Sequence, residues 1–270
     1  MQTLCVVGDD ATAVANELVA AIDERHDGRV AAVEYQSDVE SDARDAAHPA
    51  ADGRFTLGGD GQWRGEGDAR SLLDQLDALA PDYEYAVVAG TSHHRLPAVV
   101  VGDVDPEPAN IVADVPTAEE VDTAGLAAQI DEFEAHITLD TLIAEAKESP
   151  LAERAGAIAT FTGQVRAKDS PDDSRTEHLA FEKYEGVAAE RMAAISDELT
   201  DREGVFEVLM HHRVGVMEAG EDIVFVVVLA GHRKEAFRTV EDGINRLKDE
   251  VPIFKKETTE DEEFWLHERE

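Results

Sequence analysis

Apolar positions in the first hundred residues fall into short runs separated by stretches with helical spacing. Leu4 to Val7 is a run that ends at Gly8, Asp9 and Asp10, and the stretch after it places Val14, Leu18 and Ile22 on one helical face. A second run, Val30 to Val33, completes a strand–helix–strand pattern, which predicts parallel strands in a βαβ unit. Residues 36 to 70 are polar and rich in Gly, Asp and Arg, the composition of an irregular excursion. Periodicity resumes at Ser71, where Leu72, Leu73, Leu76 and Leu79 share a helical face, and Tyr85 to Val88 and Ala98 to Val101 read as two further buried strands. An α/β domain is expected over residues 1–115.

From Asp105 to Glu120 the chain carries Pro106, Pro108 and Pro116 among acids, as a linker does. Beyond it, residues 118 to 134 have helical spacing, and HITLDTL (His136 to Leu142) reads as a strand or the approach to one. GAIATFTGQVR (Gly156 to Arg166) is a strand, expected to pair with EHLAFEKYE (Glu177 to Glu185) through a polar turn at Lys168 to Ser174. A helix with Met192, Ile195 and Leu199 facing inward follows, then strands over Val205 to Gly215 and Glu221 to His232. The last helix puts Phe237, Val240, Ile244, Leu247 and Val251 on one stripe and stops at Pro252. Short turns between strands, with helices intervening, predict an α+β domain with a largely antiparallel sheet over residues 116–270.

Charge changes the picture of the surface. Sixty Asp and Glu oppose 24 Lys and Arg, for a formal net charge of -36, and the acids are spread along the whole chain. Such a surface suits molar salt, where the Debye length is about 3 Å and self-repulsion is screened. No basic stripe is present to displace counterions, so nucleic acid is excluded as a partner. Cys5 is the single cysteine, which rules out an internal disulfide and a cysteine-based metal framework; it reads as a small buried residue of the first strand. The chain has no apolar run of membrane-spanning length, and its start lacks signal-peptide character. A cytoplasmic protein that contacts no membrane is expected.

Against this acidity, the distribution of lysine stands out. Seven lysines occur, none in the first 146 residues, yet Lys248, Lys255 and Lys256 fall within nine positions. Arg233 and Lys234 precede the same helix, and Arg166 closes the strand TFTGQVR. A single cation at a helix end is ordinarily a solvated cap or dipole partner. As a set on an acidic chain, these residues read as an anion site, because local cations must reverse the field before an anion can approach. The histidine pairs His93–His94 and His211–His212 do not make metal sites, since neighbours on a strand point to opposite faces.

TFTGQVR (Thr160 to Arg166), AGHRKEAF (Ala230 to Phe237) and RLKDEVPIFKKE (Arg246 to Glu257) resemble, in this order, the signature segments of the large, catalytic subunit of molybdopterin synthase, the MoaE family. The resemblance runs from about residue 118 to the end. It implies an α/β hammerhead fold and transfer of sulfur to cyclic pyranopterin monophosphate. The donor it implies is the thiocarboxylated Gly-Gly terminus of a MoaD-like ubiquitin-fold carrier, and two transfers make the dithiolene of molybdopterin. Lys248 and Lys255 would be the essential pair, serving as proton donor and acceptor or as transient acyl acceptor. Gln164, Val165 and Arg166 would line the pterin pocket, His232 and Arg233 would meet the anionic end of the substrate, and Lys256 and Glu257 would complete its binding. Gln164 stands where the family often has lysine. No metal or organic cofactor is implied.

One consequence is geometric. If residues 234 to 249 form one helix, Arg233 and Lys248 are about 22 Å apart, too far for one pterin to touch both. A homodimer in which His232 and Arg233 of one subunit complete the pocket around Lys248 and Lys255 of the other satisfies this, within a heterotetramer that includes the carrier. A noncatalytic adaptor that binds a pterin or nucleotide in cofactor assembly is the alternative. Residues 1 to 115 resemble more faintly a MobB-like P-loop adaptor domain. GDDATAVANEL, however, has neither the second glycine nor the Lys-Ser/Thr pair of a phosphate grip, so a degenerate scaffold or docking domain is expected.

Overall fold

The computed structural model describes residues 1–36, 53–59, 61–67, 70–93, 95–168, 170–172, 174–183, 186–259 and 263–266. These form two compact units. The first comprises Met1–Ser92, Ala98–Pro106 and Val112–Glu134, and the second His93–Pro97, Glu107–Ile111 and Ala135–Glu270. No helix among the described residues is long and apolar enough to cross a membrane.

In the first unit, β1 (Gln2–Gly8), α1 (Ala11–Arg25) and β2 (Val30–Glu34) are followed by a hairpin of β3 (Gly53–Leu57) and β4 (Trp63–Gly67). Then come α2 (Leu72–Leu79), β5 (Tyr85–Ala89), β6 (Ala98–Val101), β7 (Ile111–Val115) and α3 (Thr123–Gln129). The main sheet has the order β2-β5-β1-β6-β7, with β1 parallel to β5 and β6 and β2 parallel to β5. Strands this apolar belong in a sheet covered on both faces. Accordingly Leu4 and Val6 pack with Val14, Leu18 and Ile22 of α1, and Cys5 is buried. At α2, Ser71 and Asp74 cap the helix reciprocally, which fixes where it starts.

Several expectations change here. β5 lies between β1 and β2, so the first crossover skips a strand. The described part of the 36–70 excursion contains the β3–β4 hairpin, while residues 37–52 lie outside the described residues. The proline-rich linker contains β7, which occupies the sheet edge beyond β6, where a proline-flanked strand is tolerated. Residues 118 to 134 are not one helix but α3 between 3-10 turns at Ala118–Glu120 and Ile130–Glu132.

The second unit runs α4 (Leu139–Glu148), β8 (Ala157–Gln164), β9 (Thr176–Lys183), α5 (Val187–Thr200), β10 (Val205–His212) and β11 (Gly215–Glu218). It continues through β12 (Asp222–Ala230), α6 (Arg233–Glu250), β13 (Ile253–Thr259) and β14 (Glu263–Leu266). Its strands make two antiparallel sheets, β10-β12-β8 and β11-β9-β13-β14. β12 is the central strand of the first, and it is apolar from Ile223 to Ala230 because both faces are covered. Val224, Val226, Val228 and Ala230 share a core with residues of α5 and α6, whereas Phe225, Val227 and Leu229 share one with Leu142 and Ala146 of α4.

Three corrections follow from this packing. HITLDTL is not a strand: Thr138 caps α4, its hydroxyl accepting the Thr141 N–H at 3.0 Å, and Leu142 and Ala146 then fall on one buried helical face. β9 does not pair with β8 but joins the other sheet between β11 and β13. Phe237 is 63% exposed, because the buried stripe of α6 is Ala236, Thr239, Gly243, Ile244 and Leu247. Gly243 lies on that buried stripe. A Cβ there would lie 3.0 Å from the Met210 methyl and 3.1 Å from Val226, so the helix packs tightly on the sheet at this point.

Two stability outcomes follow. Gly8 has φ 102° and an added Cβ would fall 1.9 Å from the Val101 carbonyl oxygen; Gly8→Ala should therefore lower stability by roughly 3 kcal/mol, read by thermal denaturation. Glu145 has its pKa raised, first by burial and then by Glu207 and Glu148. A carboxyl whose folded pKa is raised contributes stability below its unfolded pKa and loses it as pH rises through the folded value. Glu145→Gln should thus raise Tm at about pH 7 and leave it unchanged near pH 4.

Candidate active site

The cations of interest sit on three backbone features of the second unit. Gln164 is the last residue of β8, with Val165 and Arg166 just beyond it. Lys248 lies in the last turn of α6, and Lys255, Lys256 and Glu257 lie on β13. His232 is the N-cap residue of α6 and Arg233 its first residue.

Val165 is the anchor of the first group. It is 2% exposed and packs with Leu179, Phe181 and Met217, while Ile253 of β13 packs against the same cluster. Its N–H donates to the Glu221 carbonyl at 2.9 Å and its carbonyl accepts from Gly220 N–H at 2.9 Å. The Ala167 carbonyl in turn accepts from Thr176 N–H at 2.9 Å, so backbone bonds hold the chain on both sides of Arg166, whose side chain is exposed. Gln164 donates through Nε2 to Asp222 Oδ1 at 2.8 Å, the residue opposite it in the β8–β12 register.

Register places the other group. Lys255 is opposite Phe181 and Glu257 opposite Leu179, so these two side chains stand on the sheet face that carries the Val165 cluster. Lys256 is opposite Ala180 on the other face, because successive residues of a strand alternate. The Glu257 carboxylate accepts a hydrogen bond from the Thr176 hydroxyl at 2.5 Å. Thr176 therefore links the β8–β9 connection to β13, its N–H bonded to Ala167 and its hydroxyl to Glu257. Sequence reading passed over this residue, since a lone threonine at a strand start carries no signal.

The structure thus relates Gln164, Val165 and Arg166 to Lys255 and Glu257 through one small core and one buried hydroxyl. Lys248 precedes Lys255 by seven residues, with Val251 and Pro252 ending the helix between them. His232 and Arg233 are not part of this group. Both are exposed at the far end of the same continuous helix, about 22 Å from Lys248 along its axis. Of the histidine pairs, His211 stacks on Phe225 and His212 meets Phe181 edge-on, from opposite faces of β10, whereas His94 lies outside the described residues. No cluster of metal-ligating side chains occurs among the described residues.

The second unit is thus an α+β domain with two antiparallel sheets, with cations carried just beyond a strand end, on a helix end and on the strand after it. The family described as MoaE protein matches residues 133–250, which includes Gln164 to Arg166, His232, Arg233 and Lys248. The probable molybdopterin synthase of Haloferax volcanii is 56% identical over 271 residues, covering 100% of each chain. The molybdopterin synthase catalytic subunit of Pyrococcus abyssi is 38% identical over 111 residues, or 41% of this chain and 74% of that one. The solved molybdopterin synthase from Staphylococcus aureus covers 43% of this chain and 83% of its own, at 36% identity and a TM-score of 0.41. The chain belongs to the MoaE family of molybdopterin synthase catalytic subunits.

Thr176→Val removes a buried donor to a carboxylate while keeping shape. It should lower stability by about 1.5–3 kcal/mol, measured by chemical denaturation, with Thr176→Ser retaining most of it.

Proposed function

We propose that this chain is the catalytic subunit of a molybdopterin synthase. It takes sulfur from the thiocarboxylated C-terminus of a MoaD-like, ubiquitin-fold carrier and adds it to cyclic pyranopterin monophosphate, forming the dithiolene of molybdopterin in molybdenum cofactor biosynthesis. The carrying observation is the concentration of Lys248, Lys255 and Lys256 within nine positions of a chain with net charge -36, together with an Arg166 whose neighbours are fixed by backbone hydrogen bonds.

The chemistry follows from charge. Both reactants are anions, and each must be drawn from a negative surface into a positive recess. Arg166 and Arg233 supply permanent charge and bidentate contacts to phosphate. Gln164, Val165, His232, Lys256 and Glu257 complete substrate binding, with Gln164 held by Asp222 and Glu257 by Thr176. In each transfer the carrier's sulfur replaces an oxygen on the pterin side chain, a carbon–sulfur bond forming as a carbon–oxygen bond breaks and the oxygen leaving as water or staying on the phosphate; water then cleaves the carrier's acyl–sulfur bond and releases it as a carboxylate. Lys248 and Lys255 move the protons this requires, or one of them holds the carrier's acyl end on the way.

Because α6 is one helix from Arg233 to Glu250, the substrate is met by cations from two copies of the chain. A homodimer within a heterotetramer supplies them, and the exposed Phe237, one turn from Arg233, is an apolar contact of the kind such an interface uses. The first unit is a degenerate MobB-like domain with a scaffold or docking role. At the end of β1 the chain offers Asp9 and Asp10 where a triphosphate would need cations, so no magnesium-dependent GTP binding is expected of it.

The test is dithiolene formation from the purified precursor and thiocarboxylated carrier at high salt. Lys248→Ala and Lys255→Ala should each lower the rate by about 10²-fold or more while leaving the fold intact by circular dichroism. Formation at the wild-type rate in both variants would contradict the reading and leave the chain as an adaptor.

A further inference from the structure

The segment His93–Pro97 follows β5 in sequence but belongs to the second unit. Its Arg95 side chain is only 9% exposed and donates through Nη2 to Glu221 Oε1 at 3.0 Å, a carboxylate itself 16% exposed. The segment is fixed further by Leu96, which is buried, and by Asn110, whose amide donates to the Arg95 carbonyl at 3.4 Å.

Glu221 closes a four-residue turn. Its N–H donates to the Glu218 carbonyl at 3.0 Å, and its Oε2 accepts from the Glu218 N–H at 2.7 Å. The same turn supplies both backbone partners of Val165, the Gly220 N–H and the Glu221 carbonyl, and the next residue, Asp222, holds the Gln164 amide. Arg95 therefore grips the outer side of a turn whose inner side fixes Gln164 and Val165 and sets the start of Arg166. A buried, charge-assisted contact of this kind restrains direction as well as distance.

We infer that Arg95 is a positioning residue for the synthase reaction, acting through Glu221 to hold Gln164, Val165 and Arg166 in the substrate site. The inference rests on the proposed substrate role of those three residues. It assigns a task to a segment that precedes the region matched by the family, residues 133–250.

Steady-state sulfur transfer with the full chain, the thiocarboxylated carrier and varied pterin tests this. Arg95→Ala should raise KM for the pterin by about tenfold with a much smaller change in kcat, the signature of a displaced binding group. Arg95→Lys, which keeps a charge against Glu221, should recover part of the loss. In an Arg166→Ala background, Arg95→Ala should raise KM by clearly less than tenfold, because part of its effect runs through Arg166 and only the part through Gln164 and Val165 is left. If Arg95→Ala does not fold, Glu221→Gln carries the same expectation, including the smaller effect beside Arg166→Ala. A KM within about twofold of wild type for these variants, or an effect fully additive with that of Arg166→Ala, would overturn the inference while leaving the site reading intact. An unchanged KM in Arg166→Ala alone would overturn both, and so separates the two failures.

Discussion

The second unit is governed by the stiffness of one helix. α6 runs unbroken from Arg233 to Glu250, pressed against the β10-β12-β8 sheet by Ala236, Thr239, Gly243, Ile244 and Leu247. Helical rise then separates the cations at its two ends by about 22 Å, several times the reach of a small anion. Ion pairs line its polar side: Arg246 binds Glu250 one turn on within the helix and Glu198 of α5, and Arg202 binds Asp242 at 2.6 Å. A substrate that needs both ends of α6 must find them on different copies of the chain. The oligomer is thereby tied to the chemistry in the proposed account.

Electrostatics sets the second condition. With a net charge of -36, the chain repels its proposed reactants unless cations are concentrated and aimed. Aim comes from backbone. Arg166 projects from a chain fixed by Val165 on one side and Ala167 on the other, and Lys255 and Glu257 share a strand face dictated by register with Phe181 and Leu179. Exposed cations in high salt act over a few ångströms only, about one Debye length, so placing them correctly matters more than their number.

Periodicity made most of the elements legible. β1, α1, β5, β12 and α6 fall where apolar spacing put them. Errors arose where a local rule was overridden by a partner invisible in sequence. HITLDTL alternates like a strand, but a threonine cap turns it into a helix start. β8 and β9 are neighbours along the chain that went to different sheets, since β12 satisfied β8 and β13 satisfied β9. β13 itself was hidden, because IFKKETT has charges on both faces and only its pairing with β9 and β14 makes it a strand. The candidate site was legible for a different reason. Lysines this rare make a cluster visible by composition, and the three segments around them carried the family resemblance. The residues bonded to Gln164, Val165 and Glu257, namely Asp222, Glu221 and Thr176, had no such signal, because hydrogen bonds across distant segments leave no local pattern.

Subunit mixing tests the central claim most directly. Arg233→Ala and Lys248→Ala each damage every site in a homodimer, but after exchange a shared pocket leaves one undamaged site in each mixed dimer, and about half of the dimers are mixed. The account predicts that two nearly inactive preparations regain about a quarter of wild-type dithiolene formation on mixing. Exchange demonstrated by differential tagging, with activity no higher than that of the separate variants, would contradict it.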